Sequence, residues 1–299
     1  GTFSPESISG DVKLEVSQLT ADSIPDIMKN KDAASDELSL VFDFNLSIGN
    51  NTVTDFNKPV TITVKFDASK VTDLSKVGVY YYNEKDGRWE YVGGKANPDG
   101  TITFTVEHFS KYCTMEYKKT FDDIKNHWAK AEIELLISKH IARSENERTF
   151  APDKNITRAA FASMIVKALD IKGINTGKVF ADIPVGSWYK EDVYKAYAAG
   201  IIAGVSSTDF APEAFITREQ MATMLMRAYE YSTGVKLEGI ITTTDVKFTD
   251  EDSISSWARR NVDLSSATGL VTGNPDGTFN PKGNMTKAQA SVVIKRLMG

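Results

Sequence analysis

Apolar and polar positions alternate along the first 118 residues, and the period then changes. Residues 12–16, 38–46, 60–66, 77–82, 89–92, 101–106 and 112–115 place β-branched, aromatic or other apolar side chains at every second position, the spacing of a strand with one face in a core. Gly49-Asn-Asn51, Lys85-Asp-Gly87 and Pro98-Asp-Gly100 punctuate these runs. The two Asp-Gly pairs suit tight hairpins, because glycine accepts the left-handed backbone that such turns require. About seven short strands at this spacing predict a β-sandwich over 1–118. Beyond residue 120 the apolar positions follow a helical period, as in Ile133, Leu136 and Ile137, or Met164, Ile165, Ala168 and Leu169.

The helical part repeats three times. From Trp128, Trp188 and Trp257, a phenylalanine lies 22 residues on (Phe150, Phe210, Phe279) and a threonine 29 on (Thr157, Thr217, Thr286), with no gap. Pro152, Pro212 and Pro281 keep the same frame, while Phe121-x-Asp123, Phe180-x-Asp182 and Phe248-x-Asp250 precede the tryptophans by slightly varying distances. Insertions therefore fall between units, in linkers such as 234–245. Each unit reads as helix, turn, Phe-x-Pro loop, helix. The acid of Phe-x-Asp is placed to cap the first helix, and the threonine to cap the second. Gly200 and Gly269 suit the left-handed position after the first helix, where unit one carries His140 at some conformational cost. One such unit has a single buried face, so the three must pack together. The expected domains are 1–118, 119–174, 175–240 and 241–299: an all-β sandwich followed by an all-α three-unit module.

Charge and composition narrow the function. Of 299 residues, 35 are basic and 40 acidic, net −5. Residues 1–120 carry 13 basic and 18 acidic side chains, which leaves 22 of each for 121–299. A pI of about 5.4 argues against a nucleic-acid partner. No run of about 18 apolar residues spans a bilayer. One cysteine, Cys113, and three scattered histidines (His108, His127, His140) make neither a disulfide framework nor a metal site, and no motif calls for a cofactor. The Gly1-Thr-Phe-Ser-Pro5 start lacks a basic-then-apolar leader, as in a cytoplasmic protein or a processed or excised piece of a secreted one.

The repeated Phe-x-Asp, Trp, Gly-Ile or Gly-Leu turn, Phe-x-Pro and Thr-Arg pattern over 121–299 resembles S-layer homology (SLH) domains, which moor proteins to Gram-positive cell walls. The resemblance implies a secreted wall or S-layer protein, a monomer with internal pseudo-threefold symmetry, and first helices bundled at its centre. It also implies clefts that bind secondary cell-wall polysaccharide through a pyruvylated N-acetylmannosamine end. The family's basic residue after the threonine maps to Arg158, Arg218 and Lys287. With Thr157, Thr217 and Thr286 they form helix starts that offer an anion a fixed cation and unpaired N–H groups; Arg158 and Arg218 can grip a carboxylate with two bonds, Lys287 with a point charge only. Trp128, Trp188 and Trp257 are candidates to cover sugar faces. Where the family has glutamate after Thr-Arg-Ala stand Ala160, Gln220 and Gln289, and the turn glycine of Gly204 and Gly273 is Ser144 in unit one.

No catalytic constellation is tied to a motif, so a non-enzymatic anchor is expected, with lattice self-assembly as the alternative. His108-Phe109-Ser110 is similar to the His-Phe-Ser ending of ZU5-like β-modules, some of which cut their own chain before the serine. The plainer expectation is a strand end with Phe109 in the core.

Overall fold

The computed structural model describes residues 12–49, 51–53, 55–173, 177–240 and 247–299. The Gly1-Thr-Phe-Ser-Pro5 stretch, Asn50 of the first turn and residues 241–245 of the linker lie outside that range. The chain divides into two compact units, Gly1–Thr120 with Ile137–His140, and Phe121–Leu136 with Ile141–Gly299.

The first unit holds β1 (Val12–Leu19), the short helix α1 (Pro25–Met28), β2 (Ser35–Glu37), β3 (Val41–Ile48), β4 (Asn51–Val53), β5 (Asp55–Lys65), β6 (Val77–Asn83), β7 (Arg88–Gly93), β8 (Lys95–Ala96), β9 (Thr101–His108) and β10 (Lys111–Tyr117). A larger sheet runs β1-β3-β10-β6-β7, with β2 on β10 and β4 on β3; a smaller one runs β5-β9-β8. Each of the seven alternating segments forms a strand, although residues 38–40 of the second fall between β2 and β3. The added β2, β4 and β8 are two or three residues long, too short for alternation to mark. Gly87 and Gly100 turn their hairpins at φ 64° and 80°.

Side chains from both sheets meet in one core: Phe44, Val77, Val79 and Tyr112 from the larger, Ile102, Phe104 and Val106 from the smaller. Tyr80, Cys113 and Met115 point to the other face of the larger sheet, where Met28 of α1 helps to cover them. Burial on both faces explains the unbroken apolar run of β6. It also pushes the Cys113 thiol up to about 12, which leaves it without thiolate reactivity.

Glu116 of β10 is fully buried and ties the loop before β6. Its carboxylate accepts from the Thr72 backbone (2.9 Å) and hydroxyl (2.6 Å) and from the Asp73 backbone (2.7 Å), with the Lys118 ammonium 3.3 Å away. Burial alone would raise its pKa, but these donors prevail and hold it below the usual glutamate range. A depressed native pKa adds stability above the unfolded value of about 4.3 and loses it as pH falls through the native one. In urea unfolding of the full chain, Glu116→Gln is therefore expected to be less stable than wild type at pH 7, with the gap nearly closed at pH 3.

Among the helices of the repeats, α2 (Lys130–Ser138), α4 (Lys190–Ala198) and α6 (Ser256–Ala267) come first in each, and α3 (Arg158–Ala168), α5 (Arg218–Thr233) and α7 (Lys287–Met298) second. Thr157, Thr217 and Thr286 each accept from the N–H three residues on, and Gln220 and Gln289 complete capping boxes that Ala160 does not. His140, Gly200 and Gly269 all sit left-handed, at φ 54°, 73° and 72°, with the histidine in the glycine's conformation.

The second helices, not the first, meet one another: α3 packs on α5 and α7, and α5 on α7, while α4 lies against α3 and α6 against α5. The resemblance implied the reverse. Side-chain distribution explains the correction, since Ala159, Phe161, Ala162, Met164, Ile165 and Val166 of α3 are all buried, whereas α4 buries only Val193 and Ala196. A helix apolar around most of its circumference belongs in the middle.

The three helix starts close into a ring. Ile216 N–H donates to Ile156 C=O, Met285 N–H to Ile216 C=O and Ile156 N–H to Met285 C=O, at 3.1, 3.0 and 2.9 Å. All three side chains are buried.

Candidate functional site

Each second helix starts in the Phe-x-Pro turn of a neighbouring repeat. Arg158 N–H donates to Ala214 C=O and Ala159 N–H to Pro212 C=O; Arg218 and Glu219 do the same to Gly283 and Pro281, and Lys287 and Ala288 to Lys154 and Pro152, all at 2.9–3.1 Å. With the third N–H taken by the threonine cap, these starts do not offer the open donors that the sequence reading assigned them. Backbone carbonyls of the next repeat have already satisfied them.

The cationic side chains follow the same route. Arg158 donates from Nε to Phe210 C=O (3.0 Å) and from Nη2 to Ala203 C=O (3.3 Å), and its guanidinium lies 4.8 Å from the Phe210 ring centre. Arg218 repeats this on Phe279 and Thr272, with the ring at 4.9 Å. Lys287 reaches Phe150 C=O (2.6 Å) and Glu145 (3.1 Å), with the Phe150 ring at 4.4 Å. Arg158 and Arg218 are only 5% and 7% exposed, and burial lowers the pKa of all three groups. These residues clamp one repeat to the next, and no carboxylate is within ion-pair distance of either arginine among the described residues.

The acids of Phe-x-Asp have a different job from the one expected. Asp123 accepts from the N–H groups of Phe150 (3.0 Å) and Ala151 (2.7 Å), Asp182 from Phe210 (2.9 Å) and Ala211 (2.6 Å), and Asp250 from Phe279 (2.7 Å) and Asn280 (2.8 Å). They hold the Phe-x-Pro turn of their own unit rather than capping its first helix. The middle residues Ala151, Ala211 and Asn280 are left-handed, at φ 61°, 58° and 56°, a conformation that costs about 1–2 kcal/mol for a residue with a Cβ. In this shape two adjacent N–H groups converge on one carboxylate.

Gly204 and Gly273 are fixed by packing. A Cβ on Gly204 would lie 2.5 Å from Ser206 C=O and 2.9 Å from the Phe180 ring, and one on Gly273 2.7 Å from the Phe248 ring. Unit one takes Ser144 at this position instead. The tryptophans, by contrast, are on the surface: Trp128, Trp188 and Trp257 are 65%, 46% and 55% exposed.

Trp188 walls a cleft of about 390 Å³ between the first two repeats, lined also by Arg143, Lys154, Thr157 and Phe215, and by Lys287 of the third. The Arg143 guanidinium lies 4.5 Å from the Trp188 ring centre. A second cleft of about 490 Å³, with Lys190, Tyr194 and Lys195, shares Trp188. Exposed aromatic faces beside cations suit an anionic sugar. The structure thus brings Thr157, Trp188 and Lys287 together in one cleft, with neither Arg158 nor Arg218 among its lining residues. Arg143 and Phe215 were missed in the sequence because they lie off the repeated motif; a basic residue 15 positions after the tryptophan in unit one alone was the available signal.

In the β unit, His108 ends β9 with its ring edge-on to Tyr81 at 4.8 Å, and its carbonyl accepts from the Tyr112 hydroxyl at 2.7 Å. Phe109 stacks on Phe44 at 5.7 Å. The Ser110 hydroxyl donates to Tyr82 C=O at 3.3 Å.

The S-layer homology domain family model matches residues 120–162, 179–222 and 247–291. The chain is 45% identical to an amylopullulanase of Thermoanaerobacterium thermosulfurigenes over 262 residues, 87% of this chain and 14% of that protein. It is 41% identical to exoglucanase XynX of Acetivibrio thermocellus over 179 residues, 60% of this chain and 16% of that one. Against the S-layer protein sap of Bacillus anthracis it is 31% identical over 180 residues, 60% of this chain and 21% of the other. The chain therefore spans less than a quarter of the length of each of these relatives.

Proposed function

Through residues 120–291 this chain belongs to the S-layer homology domain family, and from that premise we propose that it anchors a surface protein by taking an anionic secondary cell-wall polysaccharide into clefts between its repeats. Cell-wall attachment at the surface of a Gram-positive-type bacterium is the family's general role, and no helix among the described residues is long and apolar enough to cross a membrane. The finer reading, a pyruvylated sugar end as ligand, is supported by one observation above the rest: solvent-exposed tryptophan beside cationic side chains in the cleft at Trp188. In this reading Arg158, Arg218 and Lys287 shape the clefts by clamping the repeats, the threonines fix the helix starts, and the tryptophans meet the sugar. The β unit serves as a spacer or presenting module.

No catalytic role is assigned to this chain. The hydrolase names of its relatives belong to much longer proteins, and a parent enzyme is the natural cargo of such an anchor. The chain acts as a monomer with internal pseudo-threefold symmetry, and it should sediment as a single species without polymer. The deciding measurement is a titration of the full chain with purified wall polymer before and after chemical removal of its pyruvyl groups. Binding lost by at least about tenfold on removal is expected, from one charge-assisted pair of about 1.5–3 kcal/mol. Equal binding to both forms would overturn the pyruvyl reading.

A further inference from the structure

We infer that only one of the three inter-repeat clefts, the one walled by Trp188, reads the carboxylate of an acidic saccharide, and that Arg143 is its anion contact; this rests on the wall-polymer reading above. The repeats are in register, so corresponding positions can be compared directly. Fifteen residues after each tryptophan stand Arg143, Ala203 and Thr272, and 27 after each stand Asn155, Phe215 and Asn284. The Trp188 cleft combines Arg143 from unit one with Phe215 from unit two. The corresponding pairs are Ala203 with Asn284, and Thr272 with Asn155. At these two positions the Trp188 cleft alone carries an arginine and an aromatic, with Phe215 47% exposed.

Charge bookkeeping within the cleft singles out Arg143. Three cations line it, Arg143, Lys154 and Lys287, against two carboxylates, Glu145 and Glu213. Glu145 pairs with both lysines, at 3.0 and 3.1 Å, and Glu213 lies beside Tyr189, whose hydroxyl pKa it helps to raise after burial. Asp192, close by, accepts from Ser163 at 2.5 Å. Arg143 is exposed and makes no ion pair among the described residues. Its guanidinium lies over the Trp188 ring and makes no hydrogen bond among the described residues, so its N–H groups are open to a two-pronged bond with a carboxylate. At the corresponding positions the backbone carbonyls of Ala203 and Thr272 accept from the buried Arg158 and Arg218, so the motif arginines there are already engaged.

Calorimetric titration of the full chain with a pyruvylated N-acetylmannosamine glycoside, and with the same glycoside lacking the pyruvyl group, tests the assignment. One site per chain is expected for the pyruvylated probe. Arg143→Gln should weaken it by at least about tenfold, the loss of one charge-assisted pair, with an unchanged melting temperature because the side chain is exposed. Arg148→Gln, at a surface arginine that pairs with Asp122 outside the cleft, should leave the affinity within about twofold. Two or three equivalent sites, or Arg143→Gln binding like wild type, would overturn the single-cleft assignment while the polymer reading stands. Failure of wild type to bind either probe would overturn both.

Discussion

Replacing Arg218 with alanine is expected to destabilise the helical unit by about 3–5 kcal/mol, because two charge-assisted bonds, each worth about 1.5–3 kcal/mol, and a buried cation–π contact are lost together. The Phe279 and Thr272 carbonyls would be left without the donors that now reach them. Arg218→Lys should cost clearly less, since Lys287 already serves the equivalent junction with one bond to Phe150 C=O. Urea unfolding followed by far-ultraviolet circular dichroism measures both. The pair Arg158→Ala and Arg218→Ala should also reduce wall-polymer binding by well over about tenfold, through loosened repeats rather than a lost ligand contact. A double variant that melts like wild type yet does not bind would show that these guanidinium groups touch the polymer after all.

The second large effect is expected at Asp182. Its carboxylate takes three hydrogen bonds from two successive N–H groups, and Asp182→Ala should cost about 2–4 kcal/mol, since a hydrogen bond to a charged group contributes about 1.5–3 kcal/mol net of the exchange with water. The same turn carries the Phe210 and Pro212 carbonyls that seat Arg158 and Ala159. Loss of the carboxylate therefore propagates into a neighbouring repeat. Asp182→Asn, which keeps one acceptor oxygen, should fall between the two. Hydrogen exchange at the Phe210 and Ala211 amides would locate the damage; undisturbed protection there would show that the turn holds its shape without the acid.

Much of this architecture was legible in residue order. The threonine caps, the left-handed His140 and the Asp-Gly hairpins are local features, decided within four residues, and local chemistry sufficed for them. The role of Asp123, Asp182 and Asp250 was not legible, because the amides they hold lie 27 to 30 residues away and a nearer helix start offered a plausible use. The arginines illustrate the same difficulty. A cation beside a capped helix start reads as an anion site until the neighbouring carbonyls are in place. Helix order at the centre required comparing how much of each circumference is apolar, where α3 and α4 differ plainly. Arg143 and Phe215 escaped notice because a repeat search rewards what recurs, and these two residues matter by occurring once.

The backbone circuit that links Ile156, Ile216 and Met285 has a bearing on how such modules can evolve. An open array of repeats tolerates the gain or loss of a member, since a newcomer simply stacks on an end. Here the last member hands its bond back to the first, so there is no free end on which to stack. A duplication inside the gene would have to break the circuit to be accommodated, and a deletion would leave an unanswered donor and acceptor. Copy number in this anchor is thus set by geometry, and variation must come from the residues within each member.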